Sequence, residues 1–222
     1  MQRKTTTRPK RPSLSFVGHG FYIALEGGEG TGKSTQVSLL ANALNALAVR
    51  EPGGTPTGLV LRGVMADPKN TSITPLTEAL LMAADRHQLM TEVLEPALAS
   101  GQHVVSDRSV YSSLAYQGFG RGLDLERLRS INDWALGGRW PDVVVLIDVD
   151  SDTTAKRIGH RTLDRFEQSG ADFFKRVADG FHSLATADPA RWVVVDGAGT
   201  TDEVHHRILN AVNERMNHQG AK

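Results

Sequence analysis

From Phe21 onward, short apolar runs alternate with longer stretches whose apolar residues return every three or four positions. Phe21–Leu25 (FYIAL), His103–Ser106 (HVVS), Val143–Val149 (VVVLIDV) and Trp192–Val195 (WVVV) have the length and β-branched content of strands. VVVLIDV is apolar along nearly its whole length, as expected for a strand covered on both faces. Gln36–Leu47 places Val37, Leu40, Leu44 and Leu47 on one helical face. Pro75–Ala99 reads as a long helix carrying Leu76, Leu80, Ala83, Val93 and Leu94, with a kink or an end expected at Pro96. Leu123–Leu136, Asp164–Thr186 and Thr201–Met216 complete the predicted helices. The alternation predicts an α/β fold: a parallel sheet of about five strands between two layers of helices. Gly and Pro cluster at the predicted strand ends, where such sheets bind their ligands.

Bulk composition narrows the classes without choosing among them. The 222 residues suit one large domain or two small ones, and 40% hydrophobic with 23% charged residues is ordinary for a globular chain. The chain has no cysteine, which excludes disulfides, thiolate metal sites and a cysteine nucleophile, and fits a cytoplasmic location. Formal net charge is zero but uneven. Residues 1–20 carry five basic residues and no acid, which leaves 20 basic against 25 acidic residues in the rest. A body with net charge −5 is a poor partner for nucleic acid. No run approaches the ~18 apolar residues of a membrane span. The expected organisation is a basic, flexible segment over 1–20, a single domain over 21–217 and a flexible end over 218–222.

GGEGTGKS, residues 27–34, changes the picture. It matches G-x-x-x-x-G-K-[ST] through Gly27, Gly32, Lys33 and Ser34, with a predicted strand before it and an amphipathic helix after it. Chance supplies this pattern in a chain of this length roughly once in a hundred. Glycines let backbone N–H groups turn inward around an anion, and the following helix aims its positive end at the same place. The loop, with Gly28, Glu29, Gly30, Thr31 and Thr35 completing it, is the expected ATP site. Lys33 reaches the terminal phosphates and Ser34 offers a hydroxyl to Mg²⁺. Glu29 is unusual beside a triphosphate. It is expected to accept a hydrogen bond from a sugar hydroxyl or from water on Mg²⁺.

Three further stretches carry chemistry. REPGGTP, from Arg50, is a rigid turn rich in proline and glycine. SDRSVYSSLAYQG, from Ser106, sets Asp107 and Arg108 at the C-terminal end of a strand. There a guanidinium can clamp a phosphate with two parallel hydrogen bonds. Ser113, Tyr116 and Gln117 follow at helical spacing and share a face. In KRIGHRTLDRFEQ, from Lys156, Arg157, Arg161 and Arg165 are spaced four apart, and three stacked cations on a helix repel one another unless an anion sits among them.

With EGGEGTGKST, these stretches resemble the bacterial thymidylate kinases, P-loop nucleoside-monophosphate kinases that transfer phosphate from ATP to dTMP. The resemblance runs from about Phe21 to Met216. It implies a P-loop NTPase-type fold with a helical lid over about 156–168, ATP and Mg²⁺ as donor and cofactor, dTMP as acceptor, and a homodimer. It implies that Arg108 lies between the two sets of phosphates, with Asp107 near the metal or its waters. Arg50, Pro52 and Arg62 fall to the acceptor phosphate, Arg86 to a thymine carbonyl, and Ser113 and Gln117 to the thymine edge. Tyr116 falls under the deoxyribose, where a 2′-hydroxyl would clash. Glu29, Lys33, Asp107, Arg108 and Arg161 form the implied catalytic set. Some family members carry a catalytic arginine in the phosphate loop and others in the lid. This loop has none, so the lid is expected to supply it, from Arg161 with Arg157 and Arg165 on the donor.

Three departures accompany the resemblance. ALNALAVREPGG passes almost directly from helix to turn, some eight residues short of the family's usual second strand. Either that edge is rebuilt or residues are missing there. Met82 stands where the family usually stacks a Phe on thymine; its sulfur can cover a base face with less defined geometry. The lid is one residue short near Arg161–Thr162, so His160 and Arg161 can exchange roles. The competing readings are another P-loop nucleotide or nucleoside kinase, a member that binds without turnover, and a GTPase-like switch. The last needs an N-K-x-D stretch, which the chain lacks.

Overall fold

The computed structural model describes residues 19–150, 153–154 and 164–220. Five strands, all parallel, form one sheet in the order β2-β3-β1-β4-β5. They are β1 (Tyr22–Glu26), β2 (Leu47–Arg50), β3 (Val104–Asp107), β4 (Val143–Asp148) and β5 (Trp192–Asp196). The main helices are α1 (Lys33–Leu44), α2 (Pro56–Ala66), α3 (Pro75–Leu89), α4 (Val110–Ser113), α5 (Leu125–Leu136), α6 (Ala171–Ala187) and α7 (Thr201–Gly220).

The strand runs are buried on both faces because side chains alternate across a pleat. Tyr22, Val104, Val144 and Trp192 pack with Leu89, Leu94, Leu114, Phe173 and Phe181 in one core. Ile23, Leu25, Val105, Val143 and Val145 pack with Val37 and Leu40 of α1 and Ile208 and Val212 of α7 in the other. Each fully buried side chain of this size stabilises the fold by about 1.5–3 kcal/mol. The two cores make the three layers that the alternation predicts. β1 lies centrally between β3 and β4, so the chain order reverses beside it. That reversal opens a crevice at the strands' C-terminal ends.

Several boundaries differ from expectation. The second strand is present, not lost: α1 stops at Leu44, and Asn45 turns the chain in a left-handed conformation (φ 49°). Leu47, read as helical, instead pairs with Val104. The apolar spacing from Leu44 to Leu47 fits a helix by coincidence, and the Asn45 turn with the open edge of β3 decides otherwise. Pro96 does not end the long helix. A wide π-turn at Met90–Leu94 precedes it, so Pro96 falls in the first turn of the segment Glu95–Ala99, where its missing N–H costs little. The stretch from Asp164 is not one helix: Glu167–Ser169 is a 3₁₀ turn and Gly170 (φ 85°) separates it from α6. The helix carrying Ser113, Tyr116 and Gln117 widens into a π-helix at Leu114–Gly120. α7 continues past Met216 to Gly220. Among the described residues, no helix is long and apolar enough to cross a membrane.

Candidate functional site

The turns that leave β1, β2 and β3 line one cleft of about 1070 Å³. On one side lies the phosphate loop. Gly27, Gly30 and Gly32 have positive φ, and a Cβ on Gly27 would stand 2.8 Å from the carbonyl oxygen of Ile147. A side chain at residue 27 would therefore push the loop off β4. Gly28 and Gly32 face open space, which leaves room for a polyphosphate against the backbone. Thr31 is buried and its hydroxyl donates to the Gly28 carbonyl (3.1 Å). Thr35 follows on the exposed side of α1 and lines the cleft. The Lys33 ammonium donates to the Gly28 carbonyl at 2.6 Å and reaches Thr31 Oγ1 at 3.3 Å. Burial, helped by the nearby positive charge of Arg108, lowers the Lys33 pKa to about 8, against the pull of Glu29, Asp107 and Glu26. The loop thus holds a cation in want of anions.

Ser34 Oγ donates to Asp107 Oδ2 at 2.5 Å, which sets a hydroxyl at the start of α1 beside a carboxylate at the end of β3. Hard oxygen donors in this arrangement fit Mg²⁺ shared with phosphate oxygens and water. Among the described residues, no cluster of three or more His, Asp or Glu offers a cage of its own.

Arg108 joins the two sides. It is a non-glycine residue at φ 71°, and such a conformation costs about 1–3 kcal/mol unless its surroundings hold it. They do so from both directions. Its amide donates to Leu25 O (3.0 Å), and Nη1 donates to Gly27 O and Ser112 Oγ (both 3.2 Å). Nη2 donates to Glu29 and to the Tyr116 hydroxyl (3.1 Å), and the guanidinium lies 5.0 Å from the Tyr116 ring centre. Glu29 therefore meets Arg108 itself. Burial opposes the charge on Arg108, but Glu29 and its neighbours outweigh it and hold the cation firmly. Behind it lies Glu26, fully buried, which accepts from Ser109 Oγ (2.7 Å), Ser112 Oγ (2.6 Å) and Ser112 N (3.2 Å). Burial raises its carboxyl pKa while the two hydroxyls lower it.

The other side of the cleft is built from REPGGTP and α3. Arg50 lies opposite Asp107 in the β2–β3 register. Pro52 and Arg62 are joined by Arg62 Nη1 donating to Pro52 O (3.2 Å). Gly53 N donates to the buried Asp85 (2.9 Å), and a Cβ on Gly54 would stand 2.8 Å from Arg50 O, which explains the paired glycines. Arg86 is 2% exposed and held on four sides. Nε donates to Glu51 (2.7 Å), Nη1 to Asn132, and Nη2 to Ser109 O (3.2 Å) and Ser113 Oγ (3.1 Å). Burial drives the Glu51 carboxyl pKa up against the pull of Arg86. Met82, Arg86, Ser113, Tyr116 and Gln117 all line the cleft. Tyr116 also packs against Phe173 and Phe181, and burial raises its hydroxyl pKa, so it is core and site at once.

The predicted lid is only partly brought into this picture. Arg157, His160 and Arg161 lie outside the described residues. Arg165 does not line the cleft with the loop: its Nε donates to Met65 O and its Nη2 to Glu78 Oε2, both at 2.6 Å. A buried carboxylate holds it on the α2–α3 side, where the four-residue spacing had suggested a donor contact. Sequence reading also passed over Glu26, Glu51, Glu78, Asp85 and Asn132. All are buried, and burial is the signal that sets them apart.

A phosphate loop and an arginine-bearing wall that face one another across one cleft, joined by Arg108, fit the class of P-loop kinases. Comparison with known proteins narrows the class. A family model described as thymidylate kinase matches residues 25–208. The thymidylate kinase of Desulforudis audaxviator is 48% identical over 183 residues, covering 80% of this chain and 83% of that one. That of Deinococcus radiodurans is 45% identical over 205 residues, covering 90% and 99%. A crystal structure of thymidylate kinase from Ehrlichia chaffeensis superposes with a TM-score of 0.73 at 29% identity, covering 88% of this chain and all of that one. The chain belongs to the thymidylate kinase family.

Proposed function

We propose that residues 21–217 act as one kinase domain that transfers the terminal phosphoryl group of ATP to dTMP, giving ADP and dTDP. The observation that carries this reading is Arg108, bonded to Gly27 O and Glu29 of the phosphate loop and to Tyr116 of the acceptor side. The cleft, at about 1070 Å³, lies just above the ~300–1,000 Å³ of a single-ligand pocket and suits two nucleotides end to end.

The acceptor is a phosphate monoester already ionised at neutral pH, so no general base is needed. Catalysis reduces to aligning two anions and neutralising charge in transfer. Residues 27–35 wrap the donor phosphates, with Lys33 on the terminal ones. Ser34, with Asp107 beside it, would hold Mg²⁺, which would supply positive charge to the phosphate oxygens. Arg108 contacts the group in flight, and Glu29 keeps its guanidinium aimed. Arg161, with Arg157, is assigned to the donor phosphates on the family resemblance. Arg50, Pro52 and Arg62 take the acceptor phosphate; Met82 covers the base, and Arg86, Ser113 and Gln117 meet its edge. Tyr116 lies under the sugar. The enzyme works in the cytoplasm as a homodimer. Five large apolar side chains left exposed on two packed helices support the dimer: Leu59, Val60 and Val64 on α2, and Leu76 and Leu80 on α3.

The test is ADP release with ATP and Mg²⁺ across dTMP, dUMP, dGMP and thymidine. The expected best acceptor by kcat/KM is dTMP, and a better rate with any of the others rejects the specificity. In the same assay Arg108→Ala lowers turnover by about 10²–10³-fold with the fold intact, the usual loss of one charge-stabilising donor.

A further inference from the structure

Glu78 carries no role in the reading above, yet it is 1% exposed and charged. Three side chains converge on it, Gln117 and Arg121 from the helix after β3 and Arg165 from the segment before α6. Gln117 Nε2 donates to Oε1 (2.9 Å), Arg165 Nη2 donates to Oε2 (2.6 Å), and Arg121 Nη2 approaches Oε2 at 3.4 Å. The two guanidinium groups lie over Phe166 and Phe173, which fixes them in turn. A carboxylate flanked by two guanidiniums only accepts hydrogen bonds. The Gln117 amide next to it therefore has one permitted orientation. Turned over, its carbonyl would face the carboxylate at hydrogen-bond distance, oxygen against oxygen. With Nε2 committed to Glu78, Oε1 is left as a buried acceptor without a partner, on a residue that lines the cleft.

We propose that Glu78 is a positioning residue: it sets the amide of Gln117 so that the acceptor site presents a carbonyl oxygen and selects imide bases. This rests on the dTMP reading above. Thymine and uracil carry a hydrogen on N3 and donate there. Cytosine carries a lone pair on N3 and would meet the Gln117 oxygen acceptor to acceptor. The choice between base classes is thus made one residue away from the base. A site built around a hydrogen bond rejects the mismatched partner strongly, because its own buried group is left unpaired. The 5-methyl group is not read by this contact, so dTMP and dUMP are not separated by it.

The experiment compares kcat and KM for dTMP and dCMP in the full-length protein and in Glu78→Gln. Gln at position 78 keeps an oxygen for the two arginines and offers an NH₂ that lets Gln117 turn over. The expected result is a dTMP KM raised about tenfold or more, kcat and the ATP KM within about twofold, and a dTMP-to-dCMP ratio of kcat/KM narrowed by at least about tenfold. An unchanged ratio overturns the proposal. So does an equal loss of kcat on both acceptors with a lower melting temperature, which is the mark of a purely structural role. If Glu78→Gln does not fold, N3-methyl-dTMP with the unaltered protein carries the test. A loss of about tenfold or more in kcat/KM is expected, and use equal to dTMP overturns the acceptor assignment. Unaltered protein that releases no ADP with dTMP brings down the function itself, whereas normal dTMP turnover with an unmoved ratio brings down only the role of Glu78.

Discussion

Lys33 is the residue whose chemistry depends most on what fills the site. It is buried, its ammonium donates to Gly28 O (2.6 Å) and Thr31 Oγ1 (3.3 Å), and its pKa is lowered to about 8. Donor phosphates would bring negative charge beside it and favour the ammonium form, so binding raises that pKa. The sign follows: above pH about 8 the free protein has partly lost this proton and must regain it to bind. Nucleotide affinity should therefore weaken as pH rises above about 8, with proton uptake near pH 8.5. Calorimetry of ATP binding in buffers of different ionisation enthalpy measures this uptake directly. It should come to about three-quarters of a proton at that pH and vanish in Lys33→Met; equal heats in all buffers would show that Lys33 stays fully charged. Arg108 behaves oppositely, because Glu29 keeps it charged at any working pH.

Among the elements, the join between α1 and β2 shows how little chain a parallel edge needs. Asn45 closes the helix in the left-handed region, its amide bonded to Ala41 O and Asn42 O, and Leu47 is already hydrogen-bonded beside β3. Asparagine tolerates this conformation and glycine adopts it freely, whereas a β-branched residue does not. Asn45→Val should lower stability by about 1–2 kcal/mol in urea unfolding, and Asn45→Gly should leave it within about 0.5 kcal/mol. Equal stability of all three proteins would mean that the turn does not constrain the edge. The join also has a consequence for the site. It brings Arg50 opposite Asp107 at the edge of the cleft.

At the scale of the whole molecule, α2 and α3 carry an exposed apolar face. Val60 is 68% exposed and Leu59 and Leu76 are about half exposed, while both helices bury their other sides. A stable dimer covers about 800 Å² per subunit, and this face groups five of the exposed large apolar side chains among the described residues. Light scattering on the unaltered protein at micromolar concentration should give a dimer, and Val60→Asp with Leu80→Asp should give a monomer that still binds ATP. A monomeric unaltered protein removes the homodimer. The same two helices carry Arg62, Met82 and Arg86 on the cleft side, so a dimer through them would brace the acceptor half.

Much of this protein could be read directly from its residue pattern. Strand runs buried on both faces announce themselves as continuous apolar segments, and GGEGTGKS carries its glycines and its lysine in a spacing that hardly any other function needs. Those features are local, and local sequence suffices for them. α2 escaped notice because its exposed side is as apolar as its buried one, which blurs the helical period. The helix-like spacing into Leu47 misled for the reverse reason, since only pairing with β3 makes that residue a strand. The lid arginines were read as one donor-binding row, yet Arg165 is held by Glu78, a carboxylate 87 positions away in the chain. No local pattern distinguishes a glutamate on a solvated helix from one buried among two arginines and a glutamine. That difference arises only when α3, the helix after β3 and the segment from Asp164 close on one another. Burial then turns an ordinary charge into one that must be satisfied, and so into one that can orient its neighbours.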